Sequence, residues 1–286
     1  MTVTRDITDR KRRALPTTAD AALVAAVETP YASVDDALER LRRLESLLAA
    51  RGDRRAVFLT VYSRMTERIR GRIDRGGFSD PAWLRDYTTT FADDYRRAFL
   101  AFERGEESVP DPWRLAFGTA RRGDALVVED AFLGINAHIN YDLALTLRDV
   151  GIDPDRGRKR ADHRAVGEVL SGLVDAQQAA LADVYAPGID DIDAAFAGID
   201  ERLSLFALTE GRKQAWRVAV VLSDIECSPV RSLVRWSLQT TATGGARLIR
   251  QSALPRDRRA RLRQLEREGV DTDAVLAALR TRLDDA

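Results

Sequence analysis

Apolar residues recur along this chain at intervals of three and four, and no segment alternates apolar and polar residues convincingly at an interval of two. Intervals of three and four place apolar side chains on one face of an α-helix, whereas an interval of two is typical of a half-buried strand. The pattern therefore predicts an all-α fold, a single large helical domain of roughly ten helices.

Turn and capping residues divide this pattern into separate helices. The spacing from Ser33 to Asp36 is that of a capping box before a helix. Pro81 fits the first turn of a long helix, where its missing amide leaves no hydrogen bond unmade. The helices predicted after these signals cover about 55–74, 81–103, 113–121, 125–150, 160–185, 190–204, 205–224 and 229–251.

The two ends of the chain differ in composition from the middle. Residues 1–16 are basic and polar, which indicates a mobile leader, and residues 17–254 form the predicted all-α domain. Pro255 precedes a charged segment with a break at Gly269. We interpret 255–286 as a charged helical hairpin packed on or beside the domain.

Composition narrows the classes of function. The chain has 286 residues, 45% of them hydrophobic, with 45 basic and 45 acidic residues. A net charge of zero argues against nucleic-acid binding, which usually requires a basic excess. The only cysteine, Cys227, excludes an internal disulfide. No secretory signal or membrane-length apolar run is present, so we expect a soluble, cytoplasmic protein.

Polar residues concentrate unusually in the segment 134–147, which reads Gly-Ile-Asn-Ala-His-Ile-Asn-Tyr-Asp-Leu-Ala-Leu-Thr-Leu. Its remaining residues are apolar nearly all round a helix, the pattern of a central, buried helix. Buried polar groups must find hydrogen-bond partners or cost about 1–3 kcal/mol each. The segment therefore either fixes the packing of the core through polar contacts or forms the wall of a site. Its polar side chains are those of Asn136, His138, Asn140 and Asp142.

Two interpretations of these four residues remain open. In the functional one, His138 and Asp142, four residues apart, form a base and its orienting carboxylate, or two ligands of one metal ion. Asn136 and Asn140 would then hold a substrate or a hydrated Mg²⁺ through oxygen. In the structural one, the asparagines bind neighbouring backbone, and His138 and Asp142 satisfy each other.

An aromatic stripe with a carboxylate at its edge follows one face of the predicted helix 81–103. Tyr87, Phe91, Tyr95 and Phe102 share that face, and Asp94 lies beside it. Such a stripe is typical of core packing, and the alternative is a cavity wall with Asp94 at the rim.

Arg212 and Trp216 lie four residues apart on another largely apolar helix. The guanidinium either pairs with a structural carboxylate or faces the same pocket as Asp142 and binds an anionic group.

The segment 134–147 resembles the hallmark motif of a domain-of-unknown-function family of bacterial, archaeal and fungal proteins, whose members show an Asn-Ala-His-Ile-Asn core. The resemblance covers roughly residues 35–250. Further segments agree with the family in order along the chain: Phe58-x3-Tyr62-x3-Thr66, Phe78-x4-Trp83, Arg160-Ala-Asp162 and Arg212-x2-Ala215-Trp216.

The resemblance implies little about activity, because the family has no generally established one. Some of its fungal relatives are associated with terpene cyclisation. This chain departs from the family at Arg160, where relatives tend to have histidine, and carries His163 where an aromatic residue is expected. These departures argue against a two-histidine metal site.

Three functions follow as alternatives. The first is a class I terpene-cyclase-like enzyme for a prenyl diphosphate, with Mg²⁺ held by oxygen atoms and Arg212 at the diphosphate. The second is a hydrolase or related enzyme with His138 as general base, oriented by Asp142, with or without a metal ion. The third is a non-catalytic helical protein. One histidine with amides and carboxylates favours Mg²⁺ over Zn²⁺.

A small-molecule or lipid-like substrate suits either enzyme. We predict that at least two of His138, Asn140 and Asp142 line a pocket shared with aromatic side chains. The candidates for those aromatic walls are Tyr62, Tyr95 and Trp216. The residues assigned as metal ligands are Asp94 and Asp142.

Overall fold

The computed structural model describes residues 18–185, 208–251, 256–268 and 272–285. Within these ranges all regular structure is helical and belongs to one domain, so the all-α prediction is confirmed. The helices are α1 (Ala21–Val27), α2 (Val34–Ala49), α3 (Arg55–Asp74), α4 (Pro81–Glu103), α5 (Asp111–Arg122), α6 (Val127–Ala137), a π-helical segment (His138–Asp142), α7 (Leu143–Val150), α8 (Arg156–Tyr185), α9 (Leu208–Asp224), α10 (Ser228–Arg250), α11 (Arg256–Glu268) and α12 (Thr272–Asp285).

The capping residues act at the helix starts that the sequence predicted. The Ser33 hydroxyl accepts a hydrogen bond from the amide of Asp36 at 3.2 Å and caps α2. Pro81 opens α4, and the Asp80 carboxylate accepts from the Trp83 amide at 3.1 Å. The predicted leader 1–16 and the predicted helix 190–204 lie outside the described residues.

Helix α8 begins at Arg156, four residues earlier than predicted. Gly157 therefore lies in the first turn of this helix, although the sequence placed it in the preceding loop. A glycine inside a helix costs only about 1 kcal/mol, which a helix of 30 residues tolerates.

The polar segment lies at the centre of the domain, as its apolar surround predicted. Helices α3, α4, α5, α9 and α10 all pack against the continuous rod formed by α6, the π-helical segment and α7. Asn136, His138 and Asp142 are only 3%, 2% and 4% exposed. The sequence predicted one uninterrupted α-helix here, whereas residues His138–Asp142 form a wider π-helical turn.

The C-terminal pair of helices contributes to the core. Helix α12 packs against α8 and α3 and buries Val275, Leu276, Leu279 and Leu283. On α11, Arg259 binds the Glu129 carboxylate at 2.8 Å. Arginines of this segment thus form ion pairs with the domain. No helix in the described ranges is long and apolar enough to cross a membrane.

Candidate functional site

Asp142 holds together the polar group at the centre of the domain. Its Oδ2 atom accepts a hydrogen bond from the indole Nε1 of Trp113 at 2.8 Å. The same oxygen lies 2.9 Å from Nδ1 of His138. Trp113 extends from α5, so residues 29 positions apart meet in one hydrogen-bonded chain. The three side chains are buried.

Burial keeps the histidine and the carboxyl group uncharged. It lowers the pKa of His138 to about 3 and raises the pKa of Asp142 well above its usual value, although the Trp113 hydrogen bond opposes the second effect. Both directions favour a neutral pair, with the Asp142 proton facing Nδ1 and a hydrogen on Nε2 of His138. That Nε2 atom is buried and has no hydrogen-bond partner in the described part of the chain.

His138 lies beside a small interior cavity of about 60 Å³. Phe91 stacks on the imidazole with a centroid distance of 3.5 Å, and Tyr62 meets it edge to face at 4.5 Å. The lining is almost wholly apolar and includes half-buried Met65 and Ile135, so the cavity extends towards the surface. His138, whose Nε2 has no partner among the described residues, thus lines an apolar space.

Two glycines make this arrangement sterically feasible. A Cβ atom at Gly134 would lie 2.5 Å from the ring of Phe58, which packs against Tyr62 and His138. A Cβ atom at Gly211 would lie 2.6 Å from Oδ1 of Asn140. The absence of these side chains lets α3 and α9 approach the motif helix closely.

The two asparagines are engaged with protein atoms. Asn136 donates from Nδ2 to the backbone oxygen of Ala242 at 2.8 Å and so joins α6 to α10. Asn140 donates from Nδ2 to Oδ1 of Asn136 at 3.0 Å. Neither side chain lines the cavity beside His138. Asn136 thus binds backbone, as in the structural interpretation, whereas Asn140 binds the side chain of Asn136.

Asp94 lies on the other side of Asp142, away from the cavity. Its Oδ2 atom accepts from the Thr146 hydroxyl at 2.5 Å, and its Oδ1 atom accepts from Arg97. Burial raises the pKa of Asp94 to about 6. Asp94, Asp142 and Tyr141 line a separate surface pocket.

The metal ligands proposed from the sequence do not fit a magnesium ion in this arrangement. Asp94 directs both oxygens to protein donors, and Oδ2 of Asp142 faces Trp113 and His138. Mg²⁺ requires oxygen ligands in a near-octahedral set. Among the described residues, no group of three or more His, Cys, Asp or Glu side chains could hold a metal ion.

Arg212 pairs with the second histidine instead of a carboxylate. Its Nη2 atom donates to the backbone oxygen of His163 at 2.6 Å and lies 3.1 Å from Nδ1 of that residue. The Tyr87 hydroxyl lies 3.0 Å from the same Nδ1, and Nε2 lies 3.2 Å from the Arg212 oxygen. Nδ1 is therefore the acceptor and Nε2 carries the hydrogen. Burial and the Arg212 charge lower the pKa of His163.

The structure brings together some of the predicted site residues and separates others. His138, Tyr62 and Arg212 line the interior cavity. Trp216 lines an outer groove that also reaches Arg212. Tyr95 packs behind Tyr62, 6.0 Å between ring centroids, and does not line the cavity. We predicted that at least two of His138, Asn140 and Asp142 line a pocket shared with aromatic side chains such as Tyr62. Only His138 of these three lines the described cavity that contains Tyr62.

Sequence reasoning missed the roles of Trp113 and Phe91. Trp113 follows a proline in a helix predicted as short, and nothing local indicates that its indole reaches Asp142. Phe91 was identified as part of the aromatic stripe, but its stacking on His138 depends on how α4 crosses the motif helix. His163, which the sequence marks only as a departure from the family, binds Arg212 and Tyr87.

Fold and site together define an all-α protein with a neutral histidine–carboxyl pair beside an apolar cavity. The model of a family of unknown function, DUF5995, matches residues 34–252, and the chain belongs to this family. The resemblance predicted over roughly 35–250 is thereby confirmed. No curated protein and no solved structure matches the chain.

Proposed function

We propose that the protein is an enzyme in which His138 and Asp142 perform acid–base catalysis on a small, mainly apolar molecule bearing an oxygen acceptor. The observation that carries this proposal is the buried, unpartnered Nε2 of His138, a residue that lines the cavity. An unsatisfied buried donor costs about 1–3 kcal/mol, so a ligand that accepts this hydrogen bond would be bound selectively.

The geometry supports a proton relay in which the pair acts first as acid and then as base. Nε2 of His138 gives its proton to the substrate oxygen, and Nδ1 takes the proton of Asp142 across 2.9 Å. Asp142 becomes a carboxylate, stabilised by the Trp113 N–H. The reverse transfer restores the neutral pair. A positioned acid–base group of this kind typically contributes about 10²–10⁴ in rate.

The cavity limits the size of the substrate. Its volume of about 60 Å³ exceeds the roughly 10–15 Å³ that one water molecule needs by the same measure. It is far below the ~300 Å³ of pockets for drug-sized ligands. We therefore expect a substrate portion of a few heavy atoms at His138, such as a short ketone, ester, ether or alcohol.

The terpene-cyclase form of the hypothesis has less support. The rings of Phe91 and Tyr62 would suit a carbocation. However, Asp94 and Asp142 are engaged with protein donors, and the cavity is small for a prenyl chain. The acid–base form of the hypothesis uses the contact that His138 and Asp142 already make.

Histidine NMR tests ligand binding directly, because the chain has only two histidines. We expect small carbonyl compounds and alcohols to shift the Nε2 resonance of His138 saturably. Turnover of the compounds that bind would then be measured as product formation. His138→Gln should lower that rate by about 10²-fold or more while the protein stays folded.

Asn140→Ala is the matched control, because it removes a polar side chain of the same segment that does not line the cavity. It should retain the rate. If no ligand shifts His138, or if His138→Gln turns over at the wild-type rate, the catalytic proposal is wrong. Strong destabilisation by both variants without any ligand binding would favour a structural polar core.

A further inference from the structure

A second, larger concavity lies outside the interior cavity, between α8 and α9. It encloses about 620 Å³, within the range of roughly 300–1,000 Å³ typical of small-molecule sites. Each helix contributes side chains at intervals of four residues, which places them in a row on one face. The row on α8 is Arg160, Arg164 and Glu168, and the row on α9 is Thr209, Lys213 and Arg217.

The charges of this groove are unbalanced. It contains five cationic side chains and one carboxylate, although the whole chain is neutral, and one of the five, Lys213, pairs with Glu210 at 2.6 Å. Arg160, Arg164 and Arg217 are exposed and make no ion pair or hydrogen bond within the described ranges. The one carboxylate, Glu168, lies 3.9 Å from Arg72 outside the groove. An uncompensated group of arginines in a concave site favours an anionic ligand.

Arg212 provides a fixed donor at the floor of the groove. Its Nη2 atom is held by the backbone oxygen and Nδ1 of His163, which orients the guanidinium. The side chain passes close to Gly167, where a Cβ atom would lie 3.4 Å from Nε. A guanidinium already oriented by the protein loses little freedom when it binds an oxyanion through two N–H groups.

We propose that this groove binds the phosphate or diphosphate group of a small phosphorylated molecule, with Arg212 at the floor and Arg160, Arg164 and Arg217 along the walls. Guanidinium groups match the geometry of phosphate oxygens, and several cations suit a group that carries more than one negative charge. The inference does not depend on acid–base catalysis by His138.

Calorimetric titration of the full chain with inorganic diphosphate tests the site. We expect saturable binding to the wild type at physiological salt. The double variant Arg164→Gln/Arg217→Gln should bind diphosphate at least about tenfold more weakly, because each substitution removes charge-assisted hydrogen bonds. The matched control is Arg43→Gln/Arg121→Gln, which removes two exposed arginines that lie outside the groove.

The control double variant should bind diphosphate with the wild-type affinity, and so should His138→Gln. Loss of binding in the control to the same extent would show non-specific charge attraction and overturn the proposal. Absence of saturable binding to the wild type would also overturn it. Equal binding of malonate, a dicarboxylate, would show that the groove does not select phosphate and would overturn the assignment to phosphorylated molecules.

Discussion

Phe91 and His138 lie face to face, with ring centroids 3.5 Å apart and planes inclined by 8°. The stack covers one face of the imidazole with an apolar ring. Burial is the main cause of the lowered His138 pKa of about 3. The neutrality of the histidine–carboxyl pair therefore depends on a residue of a different helix, α4.

Replacement of this ring should change the titration of His138. In Phe91→Ala, water reaches the imidazole and its protonated form is better solvated. We expect the pKa of His138 to rise by about one unit or more towards its usual value of 6.5. Histidine NMR across acidic pH measures this shift. Phe132→Ala, which also truncates a half-buried phenylalanine, should leave the His138 pKa unchanged.

The pair also makes two opposing contributions to the pH dependence of stability. The folded pKa of His138, about 3, lies below its unfolded value of 6.5, so its contribution is lost as the pH falls through that window. The pKa of Asp142 is raised above 3.8, so its contribution is lost as the pH rises from there towards the raised value. Just above pH 3.8 the two contributions therefore change with pH in opposite directions.

Single substitutions should separate the two contributions. Relative to wild type, the free energy of unfolding of Asp142→Asn should rise with pH as the pH increases above 3.8. That of His138→Gln should fall with pH over the same range. Urea denaturation at several pH values measures both. Slopes of the same sign in the two variants would contradict the neutral pair.

The helices were predictable because their signals are local. Ser33 caps α2 and Pro81 opens α4 where the sequence placed these elements, since capping depends on a few neighbouring residues. The burial of the motif helix followed from its apolar surround. These features need no knowledge of tertiary contacts.

The composition of the site could be predicted only in part, because contacts between helices decide it. The i,i+4 spacing of His138 and Asp142 indicated their pairing, which the geometry shows. The third member, Trp113, comes from another helix, and no pattern along the chain points to it. The π-helical turn at His138–Asp142 likewise has no marker in the sequence. The direction of the Asn136 side chain depends on where α10 packs.

Gly134, the one glycine of residues 127–150, should not tolerate a larger side chain. A Cβ atom there would lie 2.5 Å from the Phe58 ring, so the ring or the helix must move. We expect Gly134→Ala to lower the free energy of unfolding by about 1–3 kcal/mol, the usual cost of overpacking. Gly172→Ala on α8 has nothing within 4 Å of the new atom and should be neutral or stabilising by up to about 1 kcal/mol. Denaturant titration of both variants compares them, and equal effects would contradict the close approach.

Asn136 should contribute more to stability than Asn140, although the two amides belong to one motif. Asn136→Ala leaves the backbone oxygen of Ala242 and the amide of Asn140 without their partner. We expect a loss of about 1–3 kcal/mol from the buried hydrogen bonds. Asn140→Ala breaks one of these two hydrogen bonds, that to Oδ1 of Asn136, and should cost less, about 1 kcal/mol. Chemical denaturation measures both losses. A larger loss for Asn140→Ala than for Asn136→Ala would contradict this order and would indicate that Asn140 binds a ligand essential to the fold. The double variant should lose less stability than the sum of the two single losses, because the hydrogen bond between the amides is lost in each single variant.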